Sequence, residues 1–318
     1  MKALLDRPGG SPPDATCTVA AGVGESPRIE PAGKLVAGRY RLRSVLGRGG
    51  MGQVWLADDE MLARPVAVKE FDVSDQRSGT RSRAARVRAL NEARAAARVD
   101  HAGAIKIHDV VRWDGRPWIV MELLSGRTLA ALLDAGGPLP VEQVTSVGLD
   151  LLDVVQATHR AGIVHRDVKP ANVQLCDCGR VVLMDFGIAR TLGGGTTVSS
   201  GLLAGSPAYI SPEQFQCGEV GPASDLFSLG ATLYAAVEGR APFDKGDLFA
   251  TLTSVVVDAP GPFLRAGPLR PVIEGLLVKE PERRLSADQA RAALRAVQRK
   301  SPGPEQSAAG RSWAIMHL

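Results

Sequence analysis

The residues best suited to chemistry lie within one short stretch, residues 163–173. Asp167 can accept a proton from a hydroxyl nucleophile. Lys169, two residues later and on the same side of an extended loop, can neutralise a phosphate. Asn172 and the later Asp185 can supply hard oxygen ligands of the kind that Mg²⁺ prefers. This combination predicts a phosphoryl-transfer site, because that reaction needs positioning and charge neutralisation more than covalent chemistry from the protein.

A glycine-rich run at residues 47–52 follows residues 40–46, whose alternating pattern is typical of a strand. Dinucleotide-binding folds also use such glycines, but their glycine turn opens a helix. Here residues 53–57 continue as β-forming sequence, and Asp58 and Asp59 are predicted to form a turn. Strand, glycines and strand therefore favour a hairpin that covers phosphates, and they argue against a dinucleotide enzyme.

Two motifs carry a family resemblance. The run HRDVKPAN at residues 165–172 and the run DFG at residues 185–187 resemble the catalytic core of eukaryotic-type (Hanks-type) protein kinases. The residues of these motifs are similar to those of the bacterial serine/threonine branch, especially actinobacterial receptor-like kinases. The resemblance covers about residues 37–299. It implies an α+β, bilobal protein-kinase fold, with a small, mainly antiparallel β N-lobe that has one helix and a larger, mainly helical C-lobe.

The resemblance also implies an ATP site between the two lobes. Lys69 would contact the α- and β-phosphates and be held by Glu92, while Met121 would be the gatekeeper behind the adenine. Backbone groups of the hinge at residues 122–124 would bind the adenine edge. The implied nucleotide-binding residues are Leu46, Gly47, Gly49, Gly52, Val54, Ala67, Lys69, Glu92, Met121, Glu122, Leu124, Asn172 and Asp185.

By the same resemblance, Asp167 and Lys169 are the catalytic residues, and Asn172 and Asp185 hold Mg²⁺ or Mn²⁺. The implied activity moves the γ-phosphoryl group of ATP to serine or threonine hydroxyls of protein substrates. One residue departs from the pattern: Gln174 stands where kinases usually place Leu or Met under the adenine. It could weaken ATP affinity or turn its amide to solvent. A catalytically weak pseudokinase or nucleotide-binding scaffold is therefore the alternative.

Residues 188–213 carry hydroxyl side chains among glycines. A plain flexible loop is one interpretation. The other is an activation segment that is autophosphorylated, with the phosphate received by Arg166. Ser200 is closest to the usual position, and Thr197 and Ser199 are alternatives.

Further residues have implied supporting roles. His165 is expected to anchor the catalytic loop and to stack near Phe186. Glu213 is expected to pair with Arg284 and close the lower lobe, and Asp225 to hold the catalytic-loop backbone.

Composition divides the chain into three parts. Residues 1–36, rich in Pro, Gly, Ser and Ala, are predicted to be a disordered tail, because they offer too little apolar surface to offset their ordering entropy. Residues 37–300 are predicted to form the kinase domain, with the N-lobe at about 37–122 and the C-lobe at about 127–300. Residues 301–318 are predicted to be a flexible tail.

Charge and hydropathy limit the partners. A net charge of +4 over 318 residues is mild and argues against a nucleic-acid partner. The longest apolar run, residues 226–237, is shorter than the about 20 residues of a membrane span, so no span is expected in this chain. No secretory signal is recognisable, so we expect a cytoplasmic location. By family analogy alone, a homodimer is possible.

Overall fold

The computed structural model describes residues 33–49, 52–71, 90–91, 93–94, 96–186, 207–216 and 218–300. These residues belong to one unit, residues 32–318. They form a six-stranded antiparallel lobe followed by a mostly helical lobe, which confirms the predicted bilobal α+β fold.

The N-lobe sheet has the strand order β1-β2-β3-β4-β6-β5. Its strands are β1 (Leu35–Val36), β2 (Tyr40–Gly49), β3 (Gly52–Asp59), β4 (Arg64–Phe71), β5 (Ile107–Trp113) and β6 (Arg116–Met121). One face is a closed apolar core that includes Trp55, Val68, Trp118 and Val120. Because side chains alternate along a strand, Lys69 and its cross-strand neighbours must lie on the opposite face.

The start of the domain differs from the sequence-based prediction. Leu35 and Val36 were assigned to the disordered tail, yet they pair with Arg41 and Tyr40 as strand β1. The predicted turn at residues 58–59 is also wrong, because β3 runs through Asp59 and the turn occupies residues 60–63. An ion pair between Arg39 and Asp59 explains why β3 extends to Asp59. Arg39 donates to both carboxylate oxygens of Asp59 at 2.7 Å, so this buried acid is neutralised across the sheet.

Asp114 and Gly115 between two β-forming runs are typical of a hairpin turn, and β5 and β6 form this hairpin. Trp113 pairs with Arg116 across a two-residue turn. Asp114 and Gly115 have φ angles of 49° and 71°. Positive φ at both central residues is the conformation that lets a two-residue turn follow the twist of its strands. The hairpin delivers Met121 to the point where the chain leaves the N-lobe.

The sequence of about residues 81–98 favours a helix, which is the one that the family resemblance implies for the N-lobe. Helical backbone is described at residues 90–91, 93–94 and 96, and the Ala97 N–H donates to the Ala93 carbonyl at 2.9 Å. Residues 72–89, 92 and 95 lie outside the described residues, so the position of Glu92 is not described.

The C-lobe contains seven α-helices within the described ranges. They are α1 (Leu129–Gly136), α2 (Val141–Arg160), α3 (Pro212–Phe215), α4 (Pro222–Glu238), α5 (Leu248–Val257), α6 (Arg270–Leu276) and α7 (Ala287–Lys300). Helix α2 ends before Gly162, which has a φ of 74°, as its sequence predicts. Every residue of α4 from Ser224 to Val237 is buried, so the apolar run at 226–237 is a core helix. Over the described ranges, no helix has the length and hydropathy that crossing a bilayer requires.

A small second sheet lies beside the hinge. Its strands are β7 (Arg127–Thr128), β8 (Val173–Leu175) and β9 (Val181–Leu183). Cys176 begins the tight turn between β8 and β9, Cys178 lies within that turn, and both thiols are free. The open end of this hairpin places the residues before β8 beside those after β9.

Candidate active site

The catalytic loop is held from below by Asp225, whose side chain is fully buried. Its carboxylate accepts the backbone N–H of His165 at 2.8 Å and that of Arg166 at 2.7 Å. It also accepts a 2.7 Å hydrogen bond from Nε2 of His159. The expected support of the catalytic-loop backbone is confirmed, and His159 has a structural role in that support.

His165 joins this loop to the segment at Asp185. Its Nδ1 accepts the Asp167 N–H at 3.3 Å, so Nε2 carries the proton and donates to the Met184 carbonyl at 3.1 Å. The ring centroid lies 4.7 Å from that of Phe186, which confirms the expected contact. Burial lowers the pKa of His165, so the imidazole is neutral at pH 7.

Asp167 lies among hydrogen-bond donors. Its Oδ2 accepts from Nζ of Lys169 and from Nδ2 of Asn172, each at 2.8 Å. The same Asn172 amide donates to the Asp167 backbone carbonyl at 2.8 Å. The carboxylate is therefore held in one orientation, with a positive charge beside it.

Asp185 enters the cleft from the end of β9. The Met184 N–H donates to the Asn172 carbonyl at 2.8 Å, which brings Asn172 and Asp185 to the same end of the hairpin. Asp185 has a φ of 53°, a left-handed conformation that costs a non-glycine residue about 1–3 kcal/mol. Its Oδ1 pairs with Nζ of Lys69 at 2.7 Å. The two lobes are thus joined at the predicted site.

The inner face of the N-lobe sheet collects the predicted nucleotide residues. Val54 is the Cα partner of Lys69, and Ala67 is the partner of Met121. Gly47 pairs with Val54, and Gly49 pairs with Gly52 across residues 50–51, which lie outside the described residues. Leu46, on the same hairpin, is exposed. Behind Met121 a cavity of about 20 Å³ reaches Lys69, Asp185 and Phe186.

One hinge residue, Glu122, makes its contacts away from the cleft. The Glu122 carboxylate accepts both terminal nitrogens of Arg180 at 3.1 Å, and its backbone N–H donates to the Lys106 carbonyl at 2.9 Å. Arg180 also donates to the Ala102 carbonyl at 2.9 Å. Within the described chain, the Leu124 N–H makes no backbone hydrogen bond, so it is available to a ligand. The sequence carried no signal for the role of Arg180.

Gln174 is buried, with 8% of its surface exposed. Its Nε2 donates to the Ser125 carbonyl at 2.7 Å. The amide therefore does not turn to solvent, because it has a backbone partner at Ser125, the residue directly after the hinge.

Arg166 is half-buried and lies next to the catalytic acid with a φ of 68°. No carboxylate of the described residues lies within 4 Å of its guanidinium, and its Nε has no hydrogen-bond partner there. Burial lowers its pKa. Its backbone carbonyl accepts Nε2 of Gln214 at 3.1 Å, a contact that the sequence reading missed. The predicted phosphosites Thr197, Ser199 and Ser200 lie outside the described residues.

A buried ion pair closes the lower lobe as expected. Arg284 donates to the two carboxylate oxygens of Glu213 at 2.8 and 3.1 Å. Ser224 adds a 2.7 Å bond to the same carboxylate. The remaining donors of Arg284 contact backbone carbonyls, so the buried guanidinium is well satisfied.

The donors near the cleft suit a divalent metal. The Asn172 amide turns its nitrogen towards Asp167, which leaves its Oδ1 as a candidate ligand. The Asp185 side chain is 47% exposed, so a carboxylate oxygen can reach a ligand in the cleft. No group of three or more His, Cys, Asp or Glu in the described parts of the chain could hold a metal alone. Mg²⁺ is commonly held by one or two side-chain oxygens together with substrate phosphates, and the Asn172 and Asp185 oxygens fit such a site.

Comparison with known proteins identifies the same residues as a domain. A sequence profile described as "Protein kinase domain" matches residues 40–293. This range includes both lobes and every predicted site residue.

Curated relatives are similar over most of the chain. Serine/threonine-protein kinase PknA of Mycobacterium tuberculosis is 37% identical over 301 residues, which is 89% of this chain and 66% of the relative. PknL of the same species is 38% identical over 232 residues, 72% of this chain and 56% of the relative. A probable serine/threonine-protein kinase of Streptomyces coelicolor is 37% identical over 273 residues, 82% of this chain and 40% of the relative. The chain therefore spans two thirds or less of these relatives.

Proposed function

This chain belongs to the protein kinase family, and we propose that it is a serine/threonine kinase that transfers the γ-phosphoryl group of ATP to hydroxyls of protein substrates. The observation that carries the proposal is the cluster of Asp167, Lys169 and Asn172, joined across the cleft to Asp185 and Lys69. An acid for the acceptor hydroxyl, cations for phosphate and oxygen ligands for a metal are the parts that this reaction uses.

Asp167 would orient the acceptor hydroxyl and take its proton as the new oxygen–phosphorus bond forms. The bond between the β- and γ-phosphates breaks in the same displacement, and its electrons leave with ADP. Lys169, already 2.8 Å from Asp167, would neutralise charge on the transferred group. Lys69 would hold the remaining phosphates and exchange its present contact with Asp185 for them.

Membership of the family implies the use of ATP and a divalent metal in general. We assign the metal, Mg²⁺ or Mn²⁺, to the Oδ1 atom of Asn172 and a carboxylate oxygen of Asp185. When bound, the metal would neutralise the phosphates and fix their direction. The adenine would lie against Val54, Ala67 and the hinge, where the Leu124 N–H is available.

The positive charge of Arg166 supports control by phosphorylation. A half-buried guanidinium without an acidic partner among the described residues gains from a phosphate, which can accept several charge-assisted hydrogen bonds. We propose Ser200 as the phosphosite, with Thr197 and Ser199 as alternatives. A homodimer and a lack of nucleic-acid binding also stay predictions.

A pseudokinase has little support, because its only basis was Gln174 and that amide has a structural partner. Transfer of radiolabelled phosphate from ATP to a generic protein substrate tests the proposal. We expect incorporation by the wild-type protein and its loss in Lys69→Met and Asp185→Asn, with folding checked by circular dichroism. Full activity of Asp185→Asn would contradict the assigned metal site.

A further inference from the structure

Gln174 is a buried polar residue on β8, between the buried apolar residues Val173 and Leu175. A buried amide without a partner is costly, so its hydrogen bonding decides whether it is tolerated. The Ser125 carbonyl cannot donate, so the Gln174 group 2.7 Å away must be the NH₂. The amide orientation is therefore fixed by chemistry, and its target is the backbone directly after the hinge.

The hinge lies directly against the β8–β9 hairpin at this point. The Asp177 N–H donates to Oγ of Ser125 at 3.3 Å. A Cβ on Gly126 would lie 2.1 Å from the Leu175 carbonyl oxygen, so only glycine permits this approach. Arg127 then pairs with Leu175 as β7 joins β8. Among these contacts, only the hydrogen bond from Gln174 joins a side chain of the hairpin to a backbone group of this segment, the Ser125 carbonyl.

Ser125 immediately follows Leu124, whose N–H is available for the adenine. The Leu124 N–H and the Ser125 carbonyl belong to peptide groups that are separated by one other peptide group, so fixing the carbonyl shortens the stretch of backbone that can reorient the N–H. At the other end, the Glu122–Arg180 pair holds the hinge to the same hairpin. The hinge is thus attached on both sides of the residue that would meet the base.

We propose that Gln174 is a positioning residue of the nucleotide site, which fixes the hinge through its hydrogen bond to the Ser125 carbonyl. This inference rests on the proposed function, because it assumes that the hinge binds a purine. Gln174 would then support ATP binding and would not weaken it. Packing alone predicts that an apolar residue at this position improves contact with the base. The hydrogen bond to Ser125 predicts instead that an apolar residue weakens ATP binding.

Two substitutions separate the hydrogen bond from packing. Gln174→Leu removes the donor and supplies an apolar surface. Gln174→Glu keeps the shape, but its ionised carboxylate cannot donate to a carbonyl and repels it. Burial raises the pKa of such a carboxyl group, and its protonated form can donate again. The Glu variant should therefore recover as the pH falls.

The experiment is calorimetric titration of the full chain with adenylyl imidodiphosphate, a non-hydrolysable ATP analogue, and Mg²⁺ at pH 8 and pH 6. Loss of one hydrogen bond predicts that Gln174→Leu weakens binding roughly 3- to 10-fold. Gln174→Glu should bind more weakly than Gln174→Leu at pH 8 and approach wild type at pH 6, each compared with wild type at the same pH. In steady-state assays, KM for ATP should rise while kcat at saturating ATP changes little.

Gln156→Leu is the matched control, because Gln156 lies on α2 and contacts Asp288 and Arg291 of α7, outside the proposed nucleotide site. Its affinity should equal that of wild type. Equal or tighter binding by Gln174→Leu, or an unchanged affinity ratio of Gln174→Glu between the two pH values, would overturn the inference. If Gln174→Leu does not fold, the pH comparison alone decides. Failure of the wild-type protein to bind the analogue at all would instead refute the proposed function, and with it this inference.

Discussion

Replacing Asp225 by Asn should damage both stability and catalysis, although Asp225 cannot reach a substrate. Its buried carboxylate accepts three donors: the N–H groups of His165 and Arg166 and Nε2 of His159. An asparagine has one acceptor oxygen, so at least one backbone N–H would face the amide NH₂. A lost hydrogen bond to a charged group costs about 1.5–3 kcal/mol, and an unsatisfied buried donor about 1–3 kcal/mol.

Relief of the buried charge offsets part of this cost, so we expect the free energy of unfolding to fall by about 2–4 kcal/mol. The effect on catalysis follows from Arg166, whose left-handed φ of 68° depends on this contact. If the loop relaxes, Asp167 moves, and a displacement of about 1 Å can reduce kcat about 100-fold. KM for ATP should change little, because the hinge and Lys69 do not contact Asp225.

Urea denaturation followed by circular dichroism gives the stability, and steady-state phosphoryl transfer gives kcat and KM. His159→Gln is the control: it perturbs only one donor and leaves both backbone contacts of Asp225 in place, so kcat should stay close to wild type. An Asp225→Asn variant with wild-type stability and kcat would refute the reasoning.

Three further substitutions test the framework. Arg284→Met should lower the free energy of unfolding by about 3–5 kcal/mol, because it leaves the buried Glu213 carboxylate without its arginine partner. Urea denaturation measures this change, and a decrease below about 1 kcal/mol would contradict the prediction. Gly126→Ala should lower the melting temperature and weaken ATP binding, since the new methyl group meets the Leu175 carbonyl in a backbone with a φ of 80°; unchanged values in both assays would count against the described hinge. Burial lowers the pKa of Lys279 to about 8, below its ordinary 10.5. Between these two pKa values the unfolded chain binds more protons than the folded chain, so the free energy of unfolding should rise with pH. Lys279→Met should reduce that rise in urea titrations at pH 7.5–10.5. Parallel pH dependences of the two proteins would contradict this prediction.

The sequence allowed prediction of those features that depend on local pattern or on a recognisable motif. The glycine hairpin, the β5–β6 turn and the end of α2 at Gly162 follow from residue types whose backbone preferences are strong. The partners of Asp225 and Arg284 were expected because the family resemblance assigns them, although no local property of the sequence indicates such distant pairs.

Contacts between ordinary side chains and backbone groups could not be predicted in this way. Arg180 binds Glu122 across 58 positions, and Gln174 binds the Ser125 carbonyl across 49. Neither pair has a characteristic spacing, and each depends on how the β8–β9 hairpin packs against the hinge. The turn expected at Asp58 and Asp59 was wrong for a similar reason. Arg39, directly before β2, pairs with Asp59, and Arg43, on β2, pairs with Asp58.

The most direct test of the proposed activity is the intact mass of the protein after expression, measured with and without phosphatase treatment. A working kinase should phosphorylate itself, so wild type should carry added phosphoryl groups that phosphatase removes. Asp167→Asn, which keeps the shape of the catalytic residue but removes its basic carboxylate, should have the unmodified mass. A wild-type protein that has the unmodified mass and remains unmodified after incubation with ATP and Mg²⁺ would contradict the account.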